Sequence, residues 1–271
     1  MKREELFDFF DHQLSGWTLA RENYSSLERV RKKPFKVGGL EGYVQFNPAR
    51  AVSTLAKLDA ASIKKRNCFL CESNRFPEQK GLPILQDMEL LVNPFPILPY
   101  HFTIVCSDHI PQQFNIDTAY ALAEKLPGMV VFFNDSGAGA SAPDHLHYQA
   151  VPKELMPLVK LIESSGDKSA HSAESSDPFL ILRDPSQIYE KEAPYNIFVW
   201  NTADKGSFFA AVPRKCHRPD VFFKEPPMRR AVSPGALDMA GVIVTPYEED
   251  FEAISESDIR DIYNQVAFKN E

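Results

Sequence analysis

Asp144-His145-Leu146-His147-Tyr148-Gln149-Ala150 gathers reactive side chains at a regular spacing. Two of the chain's seven histidines stand two residues apart, and a glutamine follows two further on. On an extended strand successive side chains alternate faces. The spacing therefore puts His145, His147 and Gln149 on one face and Leu146 and Tyr148 on the other. Imidazole serves as nucleophile, general base and metal ligand near neutral pH. A polar row of this kind backed by an apolar face suits a site that handles a phosphate or a metal. The bland alternative is a pair of surface histidines on an edge strand.

Cys68-Phe69-Leu70-Cys71 has the spacing of a zinc-binding pair. Taken alone, it is open to two other readings, small core residues or a redox pair. The chain has two further cysteines, Cys106 and Cys216. In a reducing compartment a close pair points to metal or redox chemistry more than to a structural disulfide.

The elements that must position these residues are short. Twenty-one prolines argue for a loop-rich chain with brief strands rather than a helical bundle. Leu6, Phe7, Phe10 and Leu14 form one stripe of a helix over 3–14. Tyr43 to Phe46 reads as a strand, ended by Asn47-Pro48, and 54–65 as a short helix. Leu90-Val92 and Phe102-Val105 are strand-like, with a proline-rich loop, Asn93 to His101, between them. A helix is expected over 116–126, then a buried strand over 129–133 and a turn at Asn134-Asp135-Ser136-Gly137. The strand bearing the two histidines comes next. Gly166 to Asp177 is polar and without apolar periodicity, as in a loop or linker. A hairpin at 197–200 and 208–212 and a helix over 255–268 complete the chain.

A short internal repeat accompanies these elements. Phe102-Thr103-Ile104-Val105 leads to His109-Ile110-Pro111, and Phe209-Ala210-Ala211-Val212 leads to His217-Arg218-Pro219. Pro143 precedes His145 to Gln149 as Pro234 precedes Ala236 to Ala240. The second copy lacks the reactive residues.

Composition bounds the function. With 44% hydrophobic and 25% charged residues the chain reads as a globular protein. A formal net charge of −7 leaves no general basic field for nucleic acid. No run of about 18 apolar residues occurs, so no membrane span is expected. Met1-Lys2-Arg3-Glu4-Glu5 lacks the apolar segment of a signal peptide, which makes the cytoplasm the default location. Small anionic substrates need a local basic pocket; Lys153, Arg214, Lys215, Arg218, Arg229 and Arg230 are candidates for one or two such roles.

The run 144–150 resembles the His-x-His-x-Gln signature of the nucleotidyl-transferring branch of the histidine-triad superfamily. That branch includes galactose-1-phosphate uridylyltransferase, diadenosine tetraphosphate phosphorylase and the GDP-hexose phosphorylases. The segment Gly137 to Ala150 is most similar to the last group, with Asp144 in place of their asparagine and Tyr148 in place of their phenylalanine. Val232-Ser233-Pro234-Gly235-Ala236-Leu237-Asp238-Met239-Ala240-Gly241-Val242-Ile243-Val244 resembles a second segment of that group. The likeness covers 66–160 well and 190–255 moderately.

The resemblance implies an α+β fold of HIT-like (histidine-triad-like) type. Its antiparallel sheet would have flanking helices and form two HIT-like halves with one active site. The division would be 1–66, an N-terminal helix and strand extension; 67–165, the catalytic half; 166–189, a loop or linker; and 190–271, a degenerate second half. It implies a structural zinc held by Cys68, Cys71, His109 and His145, and places His101 in a pattern where histidine packs. His147 would be the nucleophile, forming a nucleotidyl-histidine intermediate, and Gln149 would donate to a phosphate oxygen. Asn93, Asn134, Ser136, Gly137 and Lys153 are the expected substrate-binding residues. The substrate would be a nucleotide sugar or a dinucleoside polyphosphate, with phosphate or a sugar phosphate as acceptor. A zinc-stabilised nucleotide-binding protein without turnover is the non-enzymatic alternative. Oligomeric state is left open.

Overall fold

The structure, a computed structural model, describes residues 1–56, 59–164, 179–189 and 192–269. Its centre is a seven-stranded sheet. In chain order the strands are β3 (Leu82–Leu85), β4 (Met88–Val92), β5 (Phe102–Cys106), β6 (Met129–Asn134), β7 (His147–Pro152), β8 (Tyr195–Thr202) and β9 (Gly206–Pro213). Across the sheet the order is β3-β4-β5-β7-β6-β8-β9, antiparallel at every pairing. A three-stranded sheet joins β1 (Arg31–Val37), β2 (Leu40–Phe46) and β10 (Val242–Thr245), with β2 and β10 parallel. This is the expected α+β class, an antiparallel sheet flanked by helices.

Strand alternation divides the large sheet into two apolar faces. Tyr148, Ala150, Ile104, Val131, Phe133, Ile197 and Val199 lie on one. Leu6 and Phe10 of helix Arg3–Gly16 and Leu122 of helix Ile116–Lys125 cover it. Val130, Phe132, Val151, Phe198 and Trp200 lie on the other. There the small sheet packs together with helices Pro157–Ser164 and Glu256–Val266. Such burial contributes about 25 cal/mol per Å² of apolar surface removed from water. Because period two governs the strand, His147 and Gln149 share the face of Val151 and not that of Tyr148.

Several expectations shift in detail. The first helix runs to Gly16, and Thr18–Ser26 forms a second helix that sequence patterning passes over. The helix expected over 54–65 is two pieces, Ala51–Thr54 and Ala60–Lys65. The polar segment 166–177 lies outside the described residues. Of the repeat, Phe209 to Val212 sits in β9 as Phe102 to Val105 sits in β5. Ala236–Met239, however, is a short helix where its counterpart enters β7. The sheet is continuous across the expected boundary between the halves, β6 pairing with β8.

Arg214 ties the C-terminal part together. Its guanidinium is 1% exposed and gives hydrogen bonds to Asn196 Oδ1 and to the carbonyls of Pro234, Cys216, His217 and Val266. Burial lowers its pKa to about 10, which leaves it charged at neutral pH. These donors are committed to the fold, so Arg214 is not offered to a phosphate. Arg214→Met strands several buried acceptors at about 1–3 kcal/mol each before relaxation. A loss on the order of 4 kcal/mol is expected in urea unfolding, and a change under about 1 kcal/mol would contradict this account.

Candidate active site and metal centre

Strand β7 begins at His147, two residues later than the sequence spacing implies. Gln112 is the reason. Its side chain accepts the His147 N–H at 2.8 Å and donates to the carbonyls of His147 (3.2 Å) and Asn134 (2.9 Å). His145 therefore sits in the bend before the strand, with its own N–H bonded to Ala142. That bend delivers it to the cysteines.

Cys68, Cys71, His109 and His145 place one donor atom each within 4.8 Å of one another. Cys68 and Cys71 stand on a tight turn, where the Cys71 N–H bonds to the Cys68 carbonyl. His109 follows β5. Cys68 Sγ is 3.3 Å from His145 Nδ1, Cys71 Sγ 3.2 Å from His109 Nδ1 and 3.6 Å from His145 Nδ1. A tetrahedral zinc with bonds of about 2.3 Å to sulfur and 2.0 Å to nitrogen separates those atoms by about 3.5 Å. The donor set and its spacing fit the ion. His145 Nε2 lies 2.8 Å from the Cys106 carbonyl, which fixes the proton on Nε2 and turns Nδ1 to the sulfurs. Burial pushes the Cys68 thiol up, but His145 and the N–H groups of Leu70 and Cys71 outweigh it and bring the thiol below its ordinary value. A lowered thiol suits metal ligation.

His147 is 3% exposed. Its Nδ1 lies 2.8 Å from the His145 carbonyl. The ring proton sits on Nδ1, and Nε2 keeps its lone pair. Burial lowers the His147 pKa to about 4, so the ring is neutral at pH 7. A neutral imidazole with a fixed tautomer and a free Nε2 is equipped as a nucleophile.

Gln149 lies two residues on, opposite Thr103 of β5. Its Oε1 is 3.0 Å from His101 Nε2, while His101 Nδ1 accepts the Ile97 N–H at 3.3 Å. That pattern makes Nε2 the protonated nitrogen of His101. Burial lowers the His101 pKa to about 3, so it stays neutral and donates to the carboxamide oxygen. The Gln149 amide is thus turned so that its NH₂ group is the end left for a ligand. His101 packs against Phe132 as expected, but it also sets Gln149, a role the sequence pattern does not disclose. The available signal is its place two residues before Thr103, on the same face.

The expected substrate residues fall in three groups. Asn93 is beside the site: its Nδ2 donates to Thr103 Oγ1 at 3.2 Å and its Oδ1 accepts the Phe95 N–H. Asn134, Ser136 and Gly137 lie at the end of β6 and in the turn after it. Asn134 Oδ1 accepts from Asn196 Nδ2 and the Ala236 N–H, so it joins this turn to the C-terminal part. Ser136 is exposed and bonds to Asp135, and a Cβ on Gly137 would press on Pro194 at 2.9 Å. At Gly139, φ is +94° and a Cβ would meet Pro234 O and Gly235 Cα at 2.8 Å, so only glycine permits that approach. Lys153 is not brought to this group. It lies past the far end of β7 from His147, paired with Glu163 at 2.7 Å.

The antiparallel α+β sheet thus carries a Cys2His2 cluster beside His147 and Gln149, on the fold class expected from the sequence. Residues 9–152 match the family model described as a domain of unknown function, DUF4922, and the chain belongs to that family. Residues 185–271 match the model described as the GDPGP1-like, C-terminal domain. A search of curated proteins returns no match. Among solved structures the chain is similar to yeast Ap4A phosphorylase Apa2. Against its complex with Ap4A the TM-score is 0.60 at 17% identity, covering 94% of this chain and 97% of that one. Against its complex with AMP the TM-score is 0.59 at 16% identity, covering 93% and 97%. A third structure of the same yeast protein gives 0.56 at 18% identity, covering 94% of this chain and 97% of that one. These matches bear out the branch of the superfamily expected from the sequence. Among the described residues no helix is long and apolar enough to cross a membrane.

Proposed function

We propose that the chain is a phosphorylase that transfers a nucleotidyl group through His147, acting on a nucleoside diphosphate-hexose. The observation that carries the proposal is the His147 tautomer: Nδ1 bound to the His145 carbonyl and Nε2 left with its lone pair. Nε2 attacks the α-phosphorus, and the bond to the sugar phosphate oxygen breaks. The charge that develops on the ring is met by the His145 carbonyl. The Gln149 NH₂ donates to a non-bridging oxygen as negative charge builds there. Inorganic phosphate then attacks the phosphoramidate and releases a nucleoside diphosphate.

Zinc is the proposed metal, held by Cys68, Cys71, His109 and His145. With four protein ligands the shell is closed, so the ion supplies structure, pinning the loop before β7 to the Cys-x-x-Cys turn. Thiol ligands of this kind suit a reducing compartment, and the cytoplasm is the proposed location. The division into a catalytic half, 67–165, and a degenerate half, 190–271, is proposed on the repeat and on the GDPGP1-like match to the second.

A second substrate class has its own support. The similar yeast structures are of an Ap4A phosphorylase, solved with Ap4A and with AMP. The test is a phosphate-dependent screen of GDP-, UDP- and ADP-hexoses beside dinucleoside polyphosphates. Release of a nucleoside diphosphate from one hexose class is the expected result. Cleavage of dinucleoside polyphosphates alone would move the assignment to them. No turnover of any, with zinc and fold intact, would leave a nucleotide-binding protein.

A further inference from the structure

The two histidines of the metal cluster are presented alike but supported differently. Each turns Nδ1 toward a cysteine sulfur. The Nε2 of His145 meets a backbone carbonyl, that of Cys106. The Nε2 of His109 faces Asp144 Oδ2 at 3.7 Å. His109 is the open side of the cluster, its side chain 46% exposed. Asp144 is in turn fixed by Arg66, whose guanidinium lies 2.7 Å from Oδ1, 3.4 Å from the Ser141 carbonyl and over the Phe69 ring. Arg66 stands two residues before Cys68, and Asp144 one before His145. The ion pair therefore joins the two ligand-bearing segments independently of any metal.

We infer that Asp144 is a positioning residue for the metal centre. Its carboxylate, 3.7 Å from His109 Nε2, places negative charge beside that nitrogen, favours the tautomer that offers Nδ1 to the ion, and makes that ring a stronger donor. Arg66 neutralises the carboxylate, which keeps its charge from repelling an anionic substrate. The inference rests on the reading of the cluster as a metal site.

Zinc affinity is the test, measured by chelator competition on the purified protein, with cobalt(II) as a spectroscopic probe. Asp144→Ala is expected to weaken zinc about 10–100-fold, as loss of a carboxylate behind a ligating histidine does. Asp144→Asn, which keeps an acceptor, is expected to fall between it and the wild type. The cobalt absorption bands should shift in the alanine variant. Should Asp144→Ala fail to fold, Arg66→Gln keeps the carboxylate but not its anchor and is expected to weaken zinc several-fold. Zinc held equally by the wild type, the Asp144 variants and Arg66→Gln would overturn the inference. A wild type that binds neither metal would instead overturn the metal reading, and this inference with it.

Discussion

Replacing His147 by alanine is expected to lower phosphate-dependent turnover by about 10⁴-fold or more, the scale seen when a covalent nucleophile is removed. The same variant should lose covalent labelling. Wild type incubated with a nucleotide sugar labelled at the α-phosphorus, without acceptor, should carry label that is acid-labile and stable to base, as a phosphoramidate is. The expectation follows from the neutral ring, its pKa lowered to about 4 by burial, and from the proton held on Nδ1. Gln149→Ala keeps the nucleophile but removes the donor to the phosphate oxygen, so turnover should fall about 10²-fold while labelling persists. Near-normal turnover in His147→Ala would show that another group makes the bond to phosphorus.

Cys68→Ser is expected to empty the metal centre and cost several kcal/mol of stability, since structural zinc binding is coupled to folding. Cys68 is buried and packs with Leu70, Leu91, Val105 and Ala142, a small apolar group that offers little support without the ion. Wild type purified without added metal should hold one zinc by elemental analysis. A strong chelator should lower its Tm much as the substitution does. Full occupancy in Cys68→Ser, or none in the wild type, would remove the zinc assignment.

Much of the site could be read along the chain because its parts are local. His145, His147 and Gln149 lie within five positions, and the cysteines within four. Strand alternation predicts that Leu146 and Tyr148 turn away, and Tyr148 is buried in the opposite core. The strands over 129–134 and 102–106 are legible because both are continuous apolar runs, as strands buried on two faces must be. β1 is not, because Arg31-Lys32-Lys33-Pro34 carries charge outward from a small sheet that leaves much of the strand exposed. The two short helices in 51–65 are blurred for a related reason: neither is long enough to show a period.

The candidate residues were thus marked by residue type and spacing, and the resemblance to a known family supplied the α+β class that the structure shows. Which atom of each residue is available was settled by contacts distant in sequence. His101 reaches Gln149 across 48 residues and turns its amide, and Gln112 ends the strand so that His145 bends toward the cysteines. Arg66 crosses 78 residues to hold Asp144, and Lys153, placed near the motif by sequence, is carried away along the strand to Glu163. A side chain's type and its period along a strand are properties of the local chain. Its tautomer, amide orientation and ion partner depend on groups that only packing brings within 3–4 Å, where hydrogen bonds and desolvation act.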